Sequence, residues 1–413
     1  MAGLEFFAGI DWGSETHHVF VVDGDGETLG ERAFPHSGAG LTEMTDWLLD
    51  TTNAQPHAVA VAIEVPHGPV VETLMERGFT VHAVNPKQLD RFRDRWSPAG
   101  AKDDRRDAWT LADALRTDDQ AFRRLDPQAP EVVELREWSR IASDLTRDQT
   151  RLVNRARQQL WRYYPQFLKV ESNLAKSWAR ELWNLAPTPE KARRIRAKTV
   201  ANLLKRHRVR RMSAKDVLER LREPSVAVAP GTSQAAVAHL EVVCSQLTVT
   251  GQQLTRAYRE MDRLTAVLPG SEEESGTAGQ RDADILYSLP GIGRIVLATL
   301  LAEAHDAVQR RDYQALRCLC GVAPVTRRSG KSVIVVRRLA AHNRLRDAVY
   351  HWAGVAIQHD AVSKAKYAAL RARGHRHARA LRSVADRLLK VACVMLANRT
   401  LFDPGLRCQV RAA

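Results

Sequence analysis

Over the first 84 residues, short apolar runs of two kinds alternate along the chain. Phe7 to Ile10 and Val19 to Val22 are β-rich runs, and Asp23-Gly24-Asp25-Gly26 after Val22 is a hairpin turn leading to a third strand near Leu29 to Phe34. Leu41, Met44, Trp47 and Leu48 recur at helical spacing. His57 to Ile63 is a Val-rich run of buried-strand type that stops at Glu64-Val65-Pro66. A short helix then precedes a strand over Phe79 to Val84, and residues 104–116 supply a further helix.

The order β-β-β-α-β-α-β is that of a ribonuclease-H-like α/β sheet, which predicts a first domain over residues 1–125. Beyond it the period changes to that of long helices. Trp138, Ile141, Leu145, Leu152, Ala156 and Leu160 form one stripe of a helix over 131–164 that ends at Pro165. Leu240, Val243, Leu247, Thr250, Leu254, Ala257, Met261, Leu264 and Leu268 alternate three- and four-residue steps, as a coiled-coil seam does. The two helices are expected to pair antiparallel or to hold subunits together, in a region spanning 126–270 with a basic insert at about 165–235. PGSEEESGTAGQ (269–280) reads as a linker. Residues 281–413 are expected to be mostly α, with Leu289-Pro290-Gly291-Ile292-Gly293 as the turn of a helix–hairpin–helix.

Charge sharpens this picture. The 413-residue chain has 62 Lys+Arg against 48 Asp+Glu, yet residues 1–90 hold 14 acids and 3 bases. Residues 191–222 carry 13 bases and 2 acids, and 364–390 carry 9 bases and 1 acid. An acidic head on a basic body fits a metal-binding or catalytic domain carried on a polyanion-binding chassis. No apolar run approaches the about 18–20 residues of a membrane span. The start, with Glu5 and no basic segment, is not that expected of a secretory leader. Five cysteines without framework spacing suit a reducing cytoplasm, and Cys318-x-Cys320 lacks the second pair that zinc would need.

Four carboxylates carry the candidate chemistry. Asp11 ends the first strand within Gly9-Ile10-Asp11-Trp12-Gly13, and Glu64 ends the fourth. Asp104 and Asp107 stand three apart in Ala101-Lys102-Asp103-Asp104-Arg105-Arg106-Asp107-Ala108, on one helix face, with Asp103 turned elsewhere. Oxygen-only donors suit Mg²⁺ or Mn²⁺. Two such ions could polarise a phosphodiester. A second candidate lies far along the chain: Ser329, read as a loop residue beside Gly330 among Arg327, Arg328 and Lys331, in a 24-residue stretch (323–346) of 7 bases and no acid. Its hydroxyl could contact a phosphate or attack one.

In this order, the motifs resemble those of the IS110 family of insertion-sequence (DEDD) transposases, relatives of the Piv/MooV invertases. The resemblance covers about 5–120 and 280–355 and the coiled-coil region between. It implies a RuvC-like first domain, a coiled coil and a carboxy-terminal transposase domain. It also implies a DNA recombinase that acts on donor and target DNA under the guidance of a bridge RNA, as a dimer or tetramer. By the same carry-over Asp11, Glu64, Asp104 and Asp107 are the metal acids and Ser329 the nucleophile of a transient phosphoserine link, with Ser332 as a second hydroxyl nearby. The basic insert is longer than the family leads one to expect. The competing readings are a RuvC-type structure-specific nuclease, which needs only the acids and water, an actin-like sugar kinase, which lacks its second Asp-x-Gly loop here, and a non-catalytic nucleic-acid-binding protein.

Overall fold

The computed structural model describes residues 4–96, 103–268, 280–330 and 332–404. Ala101, Lys102, Lys331, Cys408 and all but the last residue of the expected linker lie outside the described residues. Two compact units divide the chain, one running to Gln128 and the other from Ala129.

In the first unit, β1 (Phe6–Trp12), β2 (Thr16–Asp23) and β3 (Thr28–Pro35) form antiparallel hairpins. The turn after β2 is tied by Asp23, whose Oδ1 accepts from the amides of Asp25, Gly26 and Glu27. The chain then passes through α1 (Gly38–Thr52), β4 (Val59–Ile63), α2 (Pro69–Glu76), β5 (Thr80–Ala83), α3 (Pro86–Asp94) and α4 (Asp104–Thr117). A two-residue strand, β6 (Arg123–Arg124), closes a mixed sheet of order β3-β2-β1-β4-β5-β6, with β4 parallel to both β1 and β5. The expected strands are all present; α3 and β6 had no clear signal, the first for want of apolar periodicity, the second for brevity.

Alternation splits the core in two. Ala8, Ile10, Val19, Val21, Val59, Val61 and Ile63 pack against Leu41, Met44 and Leu48 of α1 and Val70, Val71 and Leu74 of α2. Phe7, Phe20, Val22, Ala60 and Ala62 pack on the other face, against Leu89 of α3 and Ala108, Leu111, Ala112 and Leu115 of α4. Both faces are covered, as the near-continuous apolar runs of β1 and β4 require.

The second unit is built on α5 (Pro130–Tyr163) and α11 (Thr232–Val267), of 34 and 36 residues, about 50 Å each. Between them run five short helices: α6 (Pro165–Val170), α7 (Ser177–Leu185), α8 (Pro189–Arg194), α9 (Ala197–Arg206) and α10 (Ala214–Leu221). The pair is antiparallel: Val132 and Leu135 of α5 share a core with Leu254 to Leu264 of α11, while Ala156 and Leu160 share another with Leu240, Val243 and Leu247. The apolar seam is therefore filled within the chain.

The second of these cores belongs to the basic insert, which folds around Tyr163, Trp178 and Trp183. The buried polar tips are satisfied in series, Trp183 Nε1 donating to the Tyr163 hydroxyl and that hydroxyl donating to the Pro187 carbonyl. Past α11 follow α12 (Asp282–Tyr287), α13 (Arg294–Glu303), α14 (His305–Gln309), α15 (Tyr313–Leu319), β7 (Val325–Ser329), β8 (Ser332–Val336), α16 (Asn343–His359), α17 (Ala361–Ala372) and α18 (His377–Asn398). The helices α12 and α13 are joined by the Gly-rich turn, where Gly291 has φ +87 and a Cβ would stand 2.9 Å from the Ala356 nitrogen of α16. Among the described residues no helix is long and apolar enough to cross a membrane.

The filled seam makes a direct prediction. Leu254→Asp puts an unpaired charge between α5 and α11, where Leu254 is nearly buried. It should cost the second unit about 3–5 kcal/mol. Urea unfolding followed by circular dichroism should show this loss even at dilutions where any oligomer has dissociated.

Candidate functional site

Asp11 lies on β1, and Glu64 directly follows the neighbouring parallel strand β4. The β1–β4 register pairs Ile10 with Ile63, so the two acids occupy the next step of each strand, and strands run about 4.8 Å apart. Phe7 on β1 and Ala60 and Ala62 on β4 face α4. By the two-residue period, Asp11 and Glu64 are next in those series.

The direction of α4 brings the other two acids to the same end. Its last turn reaches the β2–β3 turn, where Arg116 donates to the Gly24 carbonyl, and Asp23 pairs with Phe6 at the start of β1. Its first turn therefore points toward the end of β1, where Asp11 lies. The helix lies directly on the strand at Gly9: a Cβ there would stand 1.9 Å from the Ala108 carbonyl oxygen and 2.6 Å from the Ala112 nitrogen. Asp103 is the N-cap, its side chain accepting from the Arg106 amide at 2.9 Å. This gives a reason for setting Asp103 apart from its neighbours.

Asp104 and Asp107 sit in unlike surroundings. Asp104 is exposed, whereas the Asp107 side chain is only 2% exposed and lies 3.4 Å, Oδ1 to Nε, from Arg93 at the end of α3. Arg93 was not singled out from sequence, since a contact between two helices leaves no local pattern. The same holds for His18, which faces Asp11 across the β1–β2 ladder with its Nε2 buried and, among the described residues, without a hydrogen-bond partner. On the opposite face of β2, His17 is buried and its pKa is lowered, first by desolvation and then by His36, whose Nδ1 lies 2.9 Å from its Nε2.

A divalent ion would find oxygen donors of the right kind at this end of the sheet. Among the described residues, however, no three His, Cys, Asp or Glu groups come together closely enough to hold a metal as they stand. At Asp107 a guanidinium supplies the positive charge instead. The carboxylates are donors of the kind that Mg²⁺ or Mn²⁺ prefers, but as they stand the described residues do not form a group that holds a metal.

Ser329 lies in the second unit. The expected loop is a β-hairpin: Ser329 ends β7 and pairs with Ser332 at the start of β8 across a two-residue turn whose Gly330 has φ +53. The ribbon stands clear of the core, with Val333, Ile334 and Val335 at 58%, 57% and 60% exposure. Arg327 and Arg328 lie on β7 and Arg337 at its base. Beside that base Arg382 of α18 is partly desolvated and crowded by Arg337 and Arg379, which together lower its proton affinity. The rings of Tyr350, His351, Tyr367 and His377 cluster on α16 to α18, with the Tyr367 hydroxyl 2.8 Å from His377 Nδ1.

The linker from the ribbon to α16 is anchored by Glu303, whose side chain is buried against Arg136, Arg140 and His342. On the insert, Arg194, Arg196, Lys198, Lys205, Arg208 and Arg210 are exposed and have no carboxylate at ion-pair distance among the described residues. Arg211 is different: it binds the Val170 carbonyl and Glu171 and lies over the Trp178 ring, a structural role.

Comparison with known proteins adds two family matches. Residues 8–165 match the model of the IS110-type DEDD transposases, and residues 283–368 match that of the IS116/IS110/IS902 transposase family. The chain is similar to a putative transposase of Sinorhizobium fredii, 60% identical over 209 residues, which is 50% of this chain and 58% of that protein. It is 32% identical to the mini-circle putative transposase for IS117 of Streptomyces coelicolor, over 97% of this chain and 96% of that one. It is also 28% identical to an insertion element IS116 protein of Streptomyces clavuligerus, over 97% and 96%.

The close approach at Gly9 can be checked by itself. Gly9→Ala places a methyl inside the van der Waals shell of α4 backbone, so helix or strand must shift. We expect a loss of about 2–4 kcal/mol in the unfolding of the first unit, read by urea titration.

Proposed function

The chain belongs to the IS110/IS116/IS902 family of transposases, and from that membership we propose that it is a recombinase that cuts and rejoins the DNA strands of an insertion sequence through Ser329. The first unit is read as a RuvC-like, ribonuclease-H-like domain, the α5–α11 pair as the coiled coil, and residues 281–413 as the transposase domain with its helix–hairpin–helix. The observation that carries the reading is the parallel pairing of β1 and β4 up to Ile10 and Ile63, with Asp11 and Glu64 the next residue on each, and the first turn of α4 directed to that end.

Asp11, Glu64, Asp104 and Asp107 would hold Mg²⁺ or Mn²⁺. When bound, the ion supplies charge stabilisation to a phosphodiester under attack. The rest is the work of the chain. The Ser329 oxygen attacks phosphorus and gives up its proton; the Oγ–P bond forms and the bond from phosphorus to the leaving sugar oxygen breaks, that oxygen taking a proton. Rejoining reverses the step, with a strand hydroxyl attacking and Ser329 leaving, so no external energy source is needed. Gly330 leaves the ribbon tip open to a phosphate, and the flanking arginines favour the charge that develops there. Among the described residues the Ser329 hydroxyl has no side-chain hydrogen-bond partner. In the family reading the acids that activate it belong to a partner subunit, in a dimer or tetramer.

The cationic insert is read as the seat of a nucleic-acid partner, by its chemistry a phosphodiester chain and, in this family reading, a bridge RNA. A cytoplasmic setting follows from that role.

The experiment that tests the chemistry separates acids from serine. Asp11→Asn and Glu64→Gln should abolish recombination while circular dichroism stays that of the wild type. Ser329→Ala should bind DNA but yield no strand exchange, and Ser332→Ala should keep activity. Mass spectrometry of adducts trapped on a nicked substrate should map a nucleotide to Ser329. Free ends without adduct, together with an active Ser329→Ala protein, would make this a water-using nuclease built on the first unit. For the insert, neutralising Arg194, Arg196, Arg208 and Arg210 should flatten the log–log salt dependence of RNA binding by up to roughly one unit for each phosphate that is no longer engaged. An unchanged slope would mark this surface as merely solvated.

A further inference from the structure

Where the ribbon meets the helices, α16, α17 and α18 bring three rings together. Tyr350 of α16 and Tyr367 of α17 both meet His377 in the first turn of α18, edge to face, with ring centroids 6.4 and 5.8 Å away. The Tyr367 hydroxyl lies 2.8 Å from His377 Nδ1, which ties α17 to α18. Both tyrosines are half-buried against the core, and His377 is exposed. The simplest account is that the rings cap the core. The charges around them ask for more.

Arg382 of α18 is partly desolvated and lies in the field of Tyr350 and of two further guanidinium groups, Arg379 on the same helix and Arg337 just past β8. None of the three arginines forms an ion pair among the described residues. The acids of this stretch are engaged elsewhere: Asp347 with Arg346, Asp360 with Ser363 at the start of α17, and Asp386 with Arg317 and the Tyr313 hydroxyl. Crowded cations without a counter-charge carry a cost that an anion removes.

Rings beside such cations are the two parts of a site for a nucleic-acid strand, in which arginines take the phosphates and a base stacks on an aromatic face. In a duplex the faces of each base are already covered by its neighbours, so the rings select an unpaired one. The place fits as well. From Ser332, opposite Ser329 in the ladder, β8 runs five residues to Arg337, about 17 Å. A stacked strand rises about 3.4 Å for each nucleotide, so the cluster lies within about five nucleotides of a phosphate at the ribbon tip.

We propose that Tyr350, Tyr367 and His377, with Arg337, Arg379 and Arg382, bind an unpaired nucleotide of the DNA strand that Ser329 attacks. For the identity of that strand the inference rests on the reading of Ser329 as the nucleophile. The site reads no sequence, because an aromatic ring stacks on any base and a phosphate is the same in every nucleotide. Its consequence is strand choice: a strand that stays paired at this point offers no base to the rings and is held by charge alone.

The test uses the full-length chain with Arg194→Gln, Arg196→Gln, Arg208→Gln and Arg210→Gln in place, so that the insert does not mask the site. The probe is a short oligothymidylate carrying one 5-iodouracil, which couples to a neighbouring aromatic ring under ultraviolet light. Mass spectrometry should map the adduct to Tyr350, Tyr367 or His377. Tyr350→Leu keeps apolar bulk and removes the ring; it should weaken binding of the oligonucleotide by about tenfold. Tyr350→Phe should restore that binding, and neither variant should change binding of the same strand annealed to its complement. Arg337→Gln should lower the salt slope of single-strand binding by roughly 0.7.

Adducts confined to other parts of the chain, or a Tyr350→Leu protein that binds the oligonucleotide as tightly as its parent, would show that the rings only cap the core and would overturn the proposal. So would an oligouridylate that binds more tightly and loses as much in Tyr350→Leu, since the site would then belong to an RNA. If the adduct maps to the rings while Ser329→Ala still exchanges strands, the site for an unpaired strand stands and the reading of Ser329 falls. If Ser329→Ala is inactive and the rings give no adduct, the reverse holds. Should Tyr350→Leu fail to fold, Arg337→Gln at its exposed position carries the test, and an unchanged salt slope there overturns the proposal.

Discussion

The first unit depends on one approach distance. Helix α4 can lie on β1 only because residue 9 has no side chain; any Cβ would meet the helix backbone. That contact is made midway along β1, between the apolar layer that α4 covers and the acid that ends the strand. It fixes the height of α4 on the sheet, and hence how far its first turn extends past the strand end. The order of strands brings Asp11 and Glu64 to the same end of the sheet, but only the height of α4 brings Asp104 and Asp107 there too. Asp103 then closes the helix start with its cap, so the two following acids fall at its positive end, where negative charge is favoured.

The second unit solves a different problem. A chain with many arginines and a long apolar seam could bury that seam between subunits or within itself. Here α5 and α11 bury it within the chain, and each end of the pair becomes the floor of a separate core, the insert at one end and the carboxy-terminal helices at the other. The insert can then devote its surface to charge, because its stability comes from Tyr163, Trp178 and Trp183 inside. Arg211 shows how such a surface divides: it is bonded into the subdomain, while Arg208 and Arg210 beside it form no ion pair among the described residues.

What could be read in the sequence follows from the range of each interaction. The strands, α1, α5 and α11 are periodic patterns, and periodicity is local, so they stand where the residues suggested. The acids at strand ends were legible because a charge closing an apolar run is itself a local anomaly. The Ser329 ribbon reads as a loop in sequence: five-residue strands with arginines on one and exposed valines on the other lack the alternation of a half-buried sheet. Arg93 and His18 left no mark at all, because what makes them matter is a contact across helices or across a ladder. The family resemblance, carried by short motifs, agreed with full-length similarity to proteins of insertion elements.

The ribbon has its own logic. A two-stranded hairpin is marginally stable by itself in water, and this one exposes apolar side chains while its arginines gather at the flank and base. Three guanidinium groups brought near one another repel, so α18, which carries Arg379 and Arg382, and the ribbon base with Arg337 must hold that charge against its own field. A bound phosphodiester would relieve both costs at once, shielding the valines and neutralising the arginines. On this view the exposure of the ribbon and the crowding of its arginines are two faces of one surface, each cost of which a nucleic-acid backbone would remove.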